Sequence, residues 1–153
     1  MRLVIQRASR ARVTVGGEEV GSIGRGLLVL VGVERGDGPR QATAAASKLA
    51  GLRVFEDVDG RMNLSTAEVS GALLVVSQFT LAGSLDRGRR PSFDGAAPPE
   101  VAEPLVEALV AALRALGLPV ATGRFRARMA VELVNDGPVT FVLEVPPDPA
   151  REP

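Results

Sequence analysis

The sequence predicts a single α+β domain of mostly antiparallel strands with two main helices. Three observations carry that expectation. Two uninterrupted apolar runs of strand length occur, "GLLVLVGVE" and "ALLVVSQFTL". Two stretches repeat small or apolar residues at helical spacing, and short β-branched segments are divided by Gly-Gly and Asp-Gly turns. At 153 residues the chain suits one core and is short for two.

Taken in order, residues 2–15 read as a long strand of β-branched and basic residues ending at Gly16-Gly17, where a hairpin leads into "EEVGSIG". Gly26–Glu34 is apolar throughout and predicts a central strand buried on both faces. Pro39 suits a helix first turn, and Ala42, Ala45, Ala46 and Leu49 supply its packing face. "LRVFEDVDG" reads as a strand ending in an Asp59-Gly60 turn, and Ala72–Leu81 as a second buried strand. A Gly- and Arg-rich loop follows. Val101, Leu105, Leu109, Ala112 and Leu116 then mark a helix from Pro99 that stops at Gly117. Strands at about 119–134 and 138–145 complete a domain spanning 1–145. The remaining "PPDPAREP", 146–153, reads as a Pro-rich disordered tail.

The residues that are missing restrict the chemistry. The chain has no His, Cys, Tyr or Trp, and Lys48 is the sole lysine among 18 basic residues. Ser-His-Asp and Cys-His nucleophilic machinery needs an imidazole base, and zinc sites need His or Cys ligands. An enzyme built from these residues takes its base from a carboxylate, Lys48, water or the substrate. The formal net charge of zero gives no global sign of nucleic-acid binding, so that case rests on local patches. No apolar run reaches the roughly 18 residues of a membrane span, and the N-terminus alternates apolar with basic residues, unlike a signal peptide. A cytoplasmic protein is the expectation.

Three stretches are candidates for function. "SQFTL" brings Ser77, Gln78 and Thr80 to the end of an apolar strand, where polar groups either line a pocket or satisfy local backbone. Arg87, Arg89 and Arg90 lie in a Gly-flanked loop with Phe93 nearby. Arg124, Arg126 and Arg128 alternate with Phe125, Ala127 and Met129, which puts three guanidiniums on one strand face. Guanidinium suits bidentate phosphate contact, and a solvated face explains the pattern equally well. "NDGPVT" reads as a hairpin turn with Pro138 at a strand start. On physics alone its X-Pro bond is trans. Glu56, Asp57, Asp59 and Asp136 sit near turns, where capping accounts for them.

"SQFTL" and "NDGPVT", in that order, with "MRLVIQRASRARVTV", "RVFEDVDGRMNLS" and "GRRPSF", resemble the D-aminoacyl-tRNA deacylases, also called D-tyrosyl-tRNA deacylases, along nearly the whole chain. The resemblance implies that family's fold and a hydrolase that proofreads in trans without metal or cofactor. It would cleave D-aminoacyl-tRNA, and glycyl-tRNA mischarged on tRNA-Ala, while sparing the L form. It implies a homodimer in which Gly137-Pro138, with a cis bond, enters the partner's site and holds the substrate amino group by its carbonyls. Ser77, Gln78, Phe79 and Thr80 would bind the terminal adenosine and the scissile carbonyl, with Phe125 and Met129 against the substrate. Arg87, Arg89, Arg90, Arg124 and Arg126 would contact tRNA, and the terminal 2′-hydroxyl would assist water. Thr80 is expected to orient rather than attack, since no neighbouring residue in sequence would deprotonate it. No DNA or membrane partner is implied.

The chain departs from the family pattern twice. Where relatives usually continue "RF" with Gly-Ala-x-Met, this chain has "RFRARM", so Arg126 stands at the small position. After "SQFTL" it continues "AGSLDRG" rather than Tyr-Ala-Asp-Thr. Two other readings share the residues: a general esterase using Thr80 or Ser77, and a non-catalytic RNA-binding module built on the arginines.

Overall fold

The computed structural model describes residues 1–149. Strand β1 (Arg2–Val15) turns at Gly16 and Gly17, both at positive φ, into antiparallel β2 (Glu18–Ile23). Two consecutive left-handed residues match the right-handed twist of the flanking strands, so the hairpin stands as read. Strand β3 (Gly26–Gly32) pairs antiparallel with the first half of β1. Helix α1 (Pro39–Gly51) and the short hairpin β4 (Phe55–Glu56) and β5 (Met62–Leu64) lead to β6 (Ala72–Ser77), which lies parallel to β3. Helix α2 (Pro99–Ala115) crosses to β7 (Val120–Thr122), parallel to β6. Strand β8 (Ala130–Glu144) returns antiparallel along β1.

The apolar runs occupy the interior because both faces of β3 and β6 are covered. Leu27, Val29, Val31, Leu73 and Val75 face α1 and α2 in one core. Leu28, Leu74 and Val76 meet Ala8, Ala11 and Val13 in a second core on the opposite face. That second face closes because the sheet curls. A Cβ at Gly21 of β2 would come 2.3 Å from the Thr122 carbonyl oxygen of β7, so glycine is what lets these strands approach.

Four expectations change. The strand expected through Leu81 ends at Ser77, and Phe79–Ala82 forms a 3-10 turn. The strand expected from 119 breaks after Thr122, so residues 123–129 form a connection and not a strand face. Most consequential, "NDGPVT" is no hairpin. β8 runs through it as one strand, held along the 14-residue β1. The tail also begins later than its composition suggests. Gln41 Nε2 donates to the Pro146 carbonyl at 3.2 Å, and Arg40 pairs with Asp148 at 3.0 Å. The rest of the expected tail, 150–153, lies outside the described residues.

The start of the chain is tied into this end of the fold. The Met1 ammonium donates to Asp37 Oδ1 and to the Val145 carbonyl, each at 2.7 Å. Both the ammonium and the Asp37 side chain are fully buried, so each charge depends on the other for its solvation.

Candidate active site

The site is built where β6 runs out. Gln78 N–H makes the last ladder bond, to the Val31 carbonyl at 2.7 Å, and the chain then tightens. Leu81 N–H donates to Gln78 O and Gly83 N–H to Thr80 O. This turn lies directly on β3: a Cβ at Gly32 would come 2.8 Å from Leu81 Cβ. Arg2 Nη1 holds the Leu81 carbonyl from below at 3.2 Å. A continuous strand would have buried Gln78 and Thr80 against an apolar neighbour. The 3-10 turn instead leaves both near solvent, where Gln78 Nε2 donates to Thr80 Oγ1 at 2.6 Å.

Ser77, Gln78 and Phe79 form one wall of a cavity of about 530 Å³. Phe125, Arg126 and Met129 form the facing wall, and Ala97, Pro99 and Ala102 line it from the start of α2. Among its lining residues Arg126 is the sole ionisable side chain, so the cavity contains no carboxylate base. Asp57, the most heavily bonded carboxylate of the β4–β5 turn, accepts from the Arg61 and Asp59 backbone N–H groups and from Asn63 Nδ2. These bonds, Arg61's first, hold its carboxyl below the usual carboxylate range, as a turn cap rather than a base.

The connection 123–129 produces the facing wall in an unexpected way. Arg124, Arg126 and Arg128 are exposed while Phe125, Ala127 and Met129 are half-buried, as read. The alternation comes from a turn and not from strand pleating. Ala127 N–H donates to Arg124 O, and Arg126 adopts φ 63. Gly123 permits the close packing, since a Cβ there would lie 2.7 Å from Met129 Sδ. Left-handed geometry costs a non-glycine residue about 1–2 kcal/mol. Glycine's extra chain entropy returns part of that. Arg126→Gly is therefore expected to raise unfolding stability by about 1 kcal/mol, read as a higher urea midpoint at unchanged m.

The NDGPVT segment is a bulge. Gln6 pairs with Thr140 and Ala8 with Asn135, so Arg7 alone on β1 faces the four residues 136–139 on β8. The surplus residues arch outward, with Gly137 and Pro138 exposed at the crest and their peptide bond cis. Asn135 closes the arch: its Oδ1 accepts from Val139 N–H at 2.7 Å, and its Nδ2 donates to Thr140 Oγ1 at 3.0 Å. Beneath lies Arg7, only 6% exposed. Its Nε donates to the Asp136 carbonyl at 2.9 Å and its Nη1 to the Val54 carbonyl at 2.8 Å. Sequence reasoning missed Arg7. The signal was its parity: it follows the buried Leu3 and Ile5 at the next inward position of β1.

Within one chain the structure thus brings Ser77, Gln78, Phe79, Phe125, Arg126 and Met129 together. Thr80 follows Phe79 without lining this cavity, and Gly137-Pro138 does not line it either, although Val131 at the start of β8 does. Arg124 lines a neighbouring groove against α2. Arg87, Arg89 and Arg90 lie in a loop closed by reciprocal backbone bonds between Ser84 and Ser92, 2.7 and 2.9 Å long.

A cavity walled by a polar strand end, aromatic and thioether side chains and one guanidinium offers its occupant shape, neutral hydrogen-bonding groups and a single fixed positive charge, with no acid or base to take part in chemistry. That defines a class of site working by positioning. The chain belongs to the D-Tyr-tRNA(Tyr) deacylase family, whose model matches residues 4–144. It is 60% identical over 146 residues to a D-aminoacyl-tRNA deacylase of Geobacter metallireducens, covering 95% of this chain and 97% of that one. Against the D-aminoacyl-tRNA deacylase of Symbiobacterium thermophilum it is 62% identical over 144 residues, 94% and 95% of the two chains. Among solved structures it superposes at TM-score 0.89 and 41% identity on a protein described as c-Myc DNA unwinding element binding protein, covering 95% and 99%. A probable eukaryotic D-amino acid tRNA deacylase shares the fold at TM-score 0.79 and 17% identity, covering 94% and 98%.

Proposed function

We propose that this chain is a D-aminoacyl-tRNA deacylase that selects configuration at Cα and spares L-aminoacyl-tRNA. Deacylation of aminoacyl-tRNA is the activity for which its family and its curated relatives are named. The observation that carries the reading is the cavity, which offers shape, an amide and a strand end but no carboxylate or imidazole. Chemistry there falls to water and to the RNA. Water attacks the ester carbonyl carbon, and the bond from that carbon to the ribose oxygen breaks. A free amino acid and the terminal ribose hydroxyl leave. The neighbouring 2′-hydroxyl assists the proton transfer, and the protein contributes position and neutral donors.

In this reading the terminal adenosine occupies the cavity between Gln78, Phe79 and Phe125, with Thr80 orienting the ester. The Gly137-Pro138 crest, exposed and absent from the lining of its own cavity, completes the cavity of a second copy in a homodimer. Its carbonyls then receive the substrate ammonium and sense configuration while ignoring what extends from Cα, which extends the activity to glycyl-tRNA. The arginines of 87–90 and 124–126 meet backbone phosphates. No helix among the described residues is long and apolar enough to cross a membrane, and we assign the protein to the cytoplasm.

One assay tests the proposal. Purified protein, without added metal, is expected to release D-tyrosine from D-tyrosyl-tRNA at least a hundredfold faster than L-tyrosine from the L form. Equal rates would reject chiral selection, and binding without turnover would leave an RNA-binding module. Hydrolysis of simple esters abolished by Thr80→Ala would instead support a general esterase. A strictly monomeric active protein would contradict completion of the site by a second copy.

A further inference from the structure

The 3-10 turn that ends β6 is gripped from two sides, and only one grip belongs to the β3 strand beneath it. On the outer side stands Phe93. Its ring centroid lies 5.1 Å from that of Phe79 with the planes tilted by 59°, an arrangement in which aromatic pairs attract. The same ring covers the end of the turn: a Cβ at Gly83 would lie 3.0 Å from Phe93 Cε1 and 2.9 Å from the Thr80 carbonyl oxygen. Phe79 and Gly83 thus both rest on one side chain.

Phe93 is itself fixed. Its carbonyl accepts from Ala96 N–H at 3.0 Å. The next residues are bonded to the segment after β3, with Arg35 N–H donating to Gly95 O at 2.9 Å and Ala97 N–H to Val33 O at 3.0 Å. Phe93 also abuts the stem of the arginine loop, because Ser84 and Ser92, the reciprocal pair that closes it, directly follow Gly83 and precede Phe93. The Phe93 ring meets the turn with Phe79 and Gly83, while the backbone on either side of Phe93 is bonded to the stem of the loop with Arg87, Arg89 and Arg90 and to the segment after β3.

We propose that Phe93 is a positioning residue, which sets the 79–83 turn against the substrate and couples it to the guanidinium loop. It touches no reacting atom. The residue remains 37% exposed and belongs to neither core cluster, so its contribution is to the geometry of the turn more than to the stability of the fold. This rests on the deacylase reading for its kinetic test and stands apart from it for its structural one.

The test compares Phe93→Leu and Phe93→Tyr with the parent protein. The structural arm follows amide hydrogen exchange. Phe93→Leu is expected to speed exchange at Leu81, Gly83 and Ser84 at least tenfold while the β3 and β6 amides keep their rates. The kinetic arm uses D-tyrosyl-tRNA and D-tyrosyl-adenosine. Phe93→Leu is expected to lower kcat about tenfold on both, and to raise KM only on the tRNA. Phe93→Tyr, which keeps the ring, restores the parent values. Unchanged exchange in the turn overturns the proposal whether or not the protein is a deacylase. Parent protein that hydrolyses neither substrate rejects the deacylase reading, and the exchange result then decides the proposal alone. Full parent kinetics in Phe93→Leu also overturn it. In a cycle with Phe79→Leu, the double variant should be no worse than the poorer single one, whereas additive losses would show that the two rings act independently.

Discussion

Gly137→Ala is expected to abolish discrimination between D- and L-aminoacyl-tRNA while leaving the protein folded. The residue adopts φ 148, a conformation L side chains rarely take. A Cβ there would stand 2.6 Å from Val139 Cγ2 and 2.8 Å from Val139 N. Val139 is buried at 8% exposure, and its N–H is held by Asn135, so neither atom can yield. The crest must move instead, by an appreciable fraction of an ångström. Because the bulge is exposed and flanked by intact ladder on both sides, the cost to the fold is about 1–3 kcal/mol. The cost to function is larger. Displacing a positioning group by about 1 Å lowers rate on the order of a hundredfold. Rates for both enantiomers together with an unfolding curve check this. A variant with the parent D/L ratio would remove Gly137 from chiral selection.

Arg7→Met should have the largest effect on stability. Methionine keeps the stem's packing but removes both donors beneath the bulge, leaving the Asp136 and Val54 carbonyls without their partners. Hydrogen bonds from a charged donor contribute about 1.5–3 kcal/mol each. A loss of about 3 kcal/mol is expected, seen as a lower urea midpoint. Arg7→Lys separates charge from geometry. An ammonium retains the charge near Glu56, whose Oε1 lies 4.0 Å from Arg7 Nη2, but cannot span two carbonyls as the guanidinium fork does. Lysine should therefore recover part of the stability while the D/L ratio still falls. Equal recovery of both would reduce Arg7 to a charge requirement.

These two residues mark how far local sequence reasoning reached. Helices α1 and α2, the Gly16-Gly17 hairpin and the doubly buried β3 and β6 were legible because their signals are local: spacing, turn chemistry and unbroken apolarity. The in-and-out order of Arg124 to Met129 was legible too, though a turn with Arg126 at positive φ produces it rather than a strand. Ser77 to Phe79, Phe125, Arg126 and Met129 were all named as candidates, and they share one cavity. That Gln78 and Thr80 sit on a 3-10 turn was not legible. The turn packs over Gly32 of β3, where a side chain would collide with Leu81, and that neighbour is distant in sequence.

"NDGPVT" shows the division most clearly. The local sequence determined that its backbone would deviate, because Asn-Asp-Gly-Pro cannot continue a regular ladder, and the absence of histidine and cysteine leaves backbone and substrate in place of an imidazole or thiolate. Whether the deviation was a hairpin or an arch was decided by its partner. β1 is long enough to pair with β8 on both sides of the segment, at Thr140 and at Asn135, so the chain cannot reverse and the surplus residues must bulge. Arg7 then acquires its role only in that pairing, as the single residue beneath four. Local propensity specifies a break in a strand; the partner strand, supplying hydrogen bonds before and after the break, decides its shape.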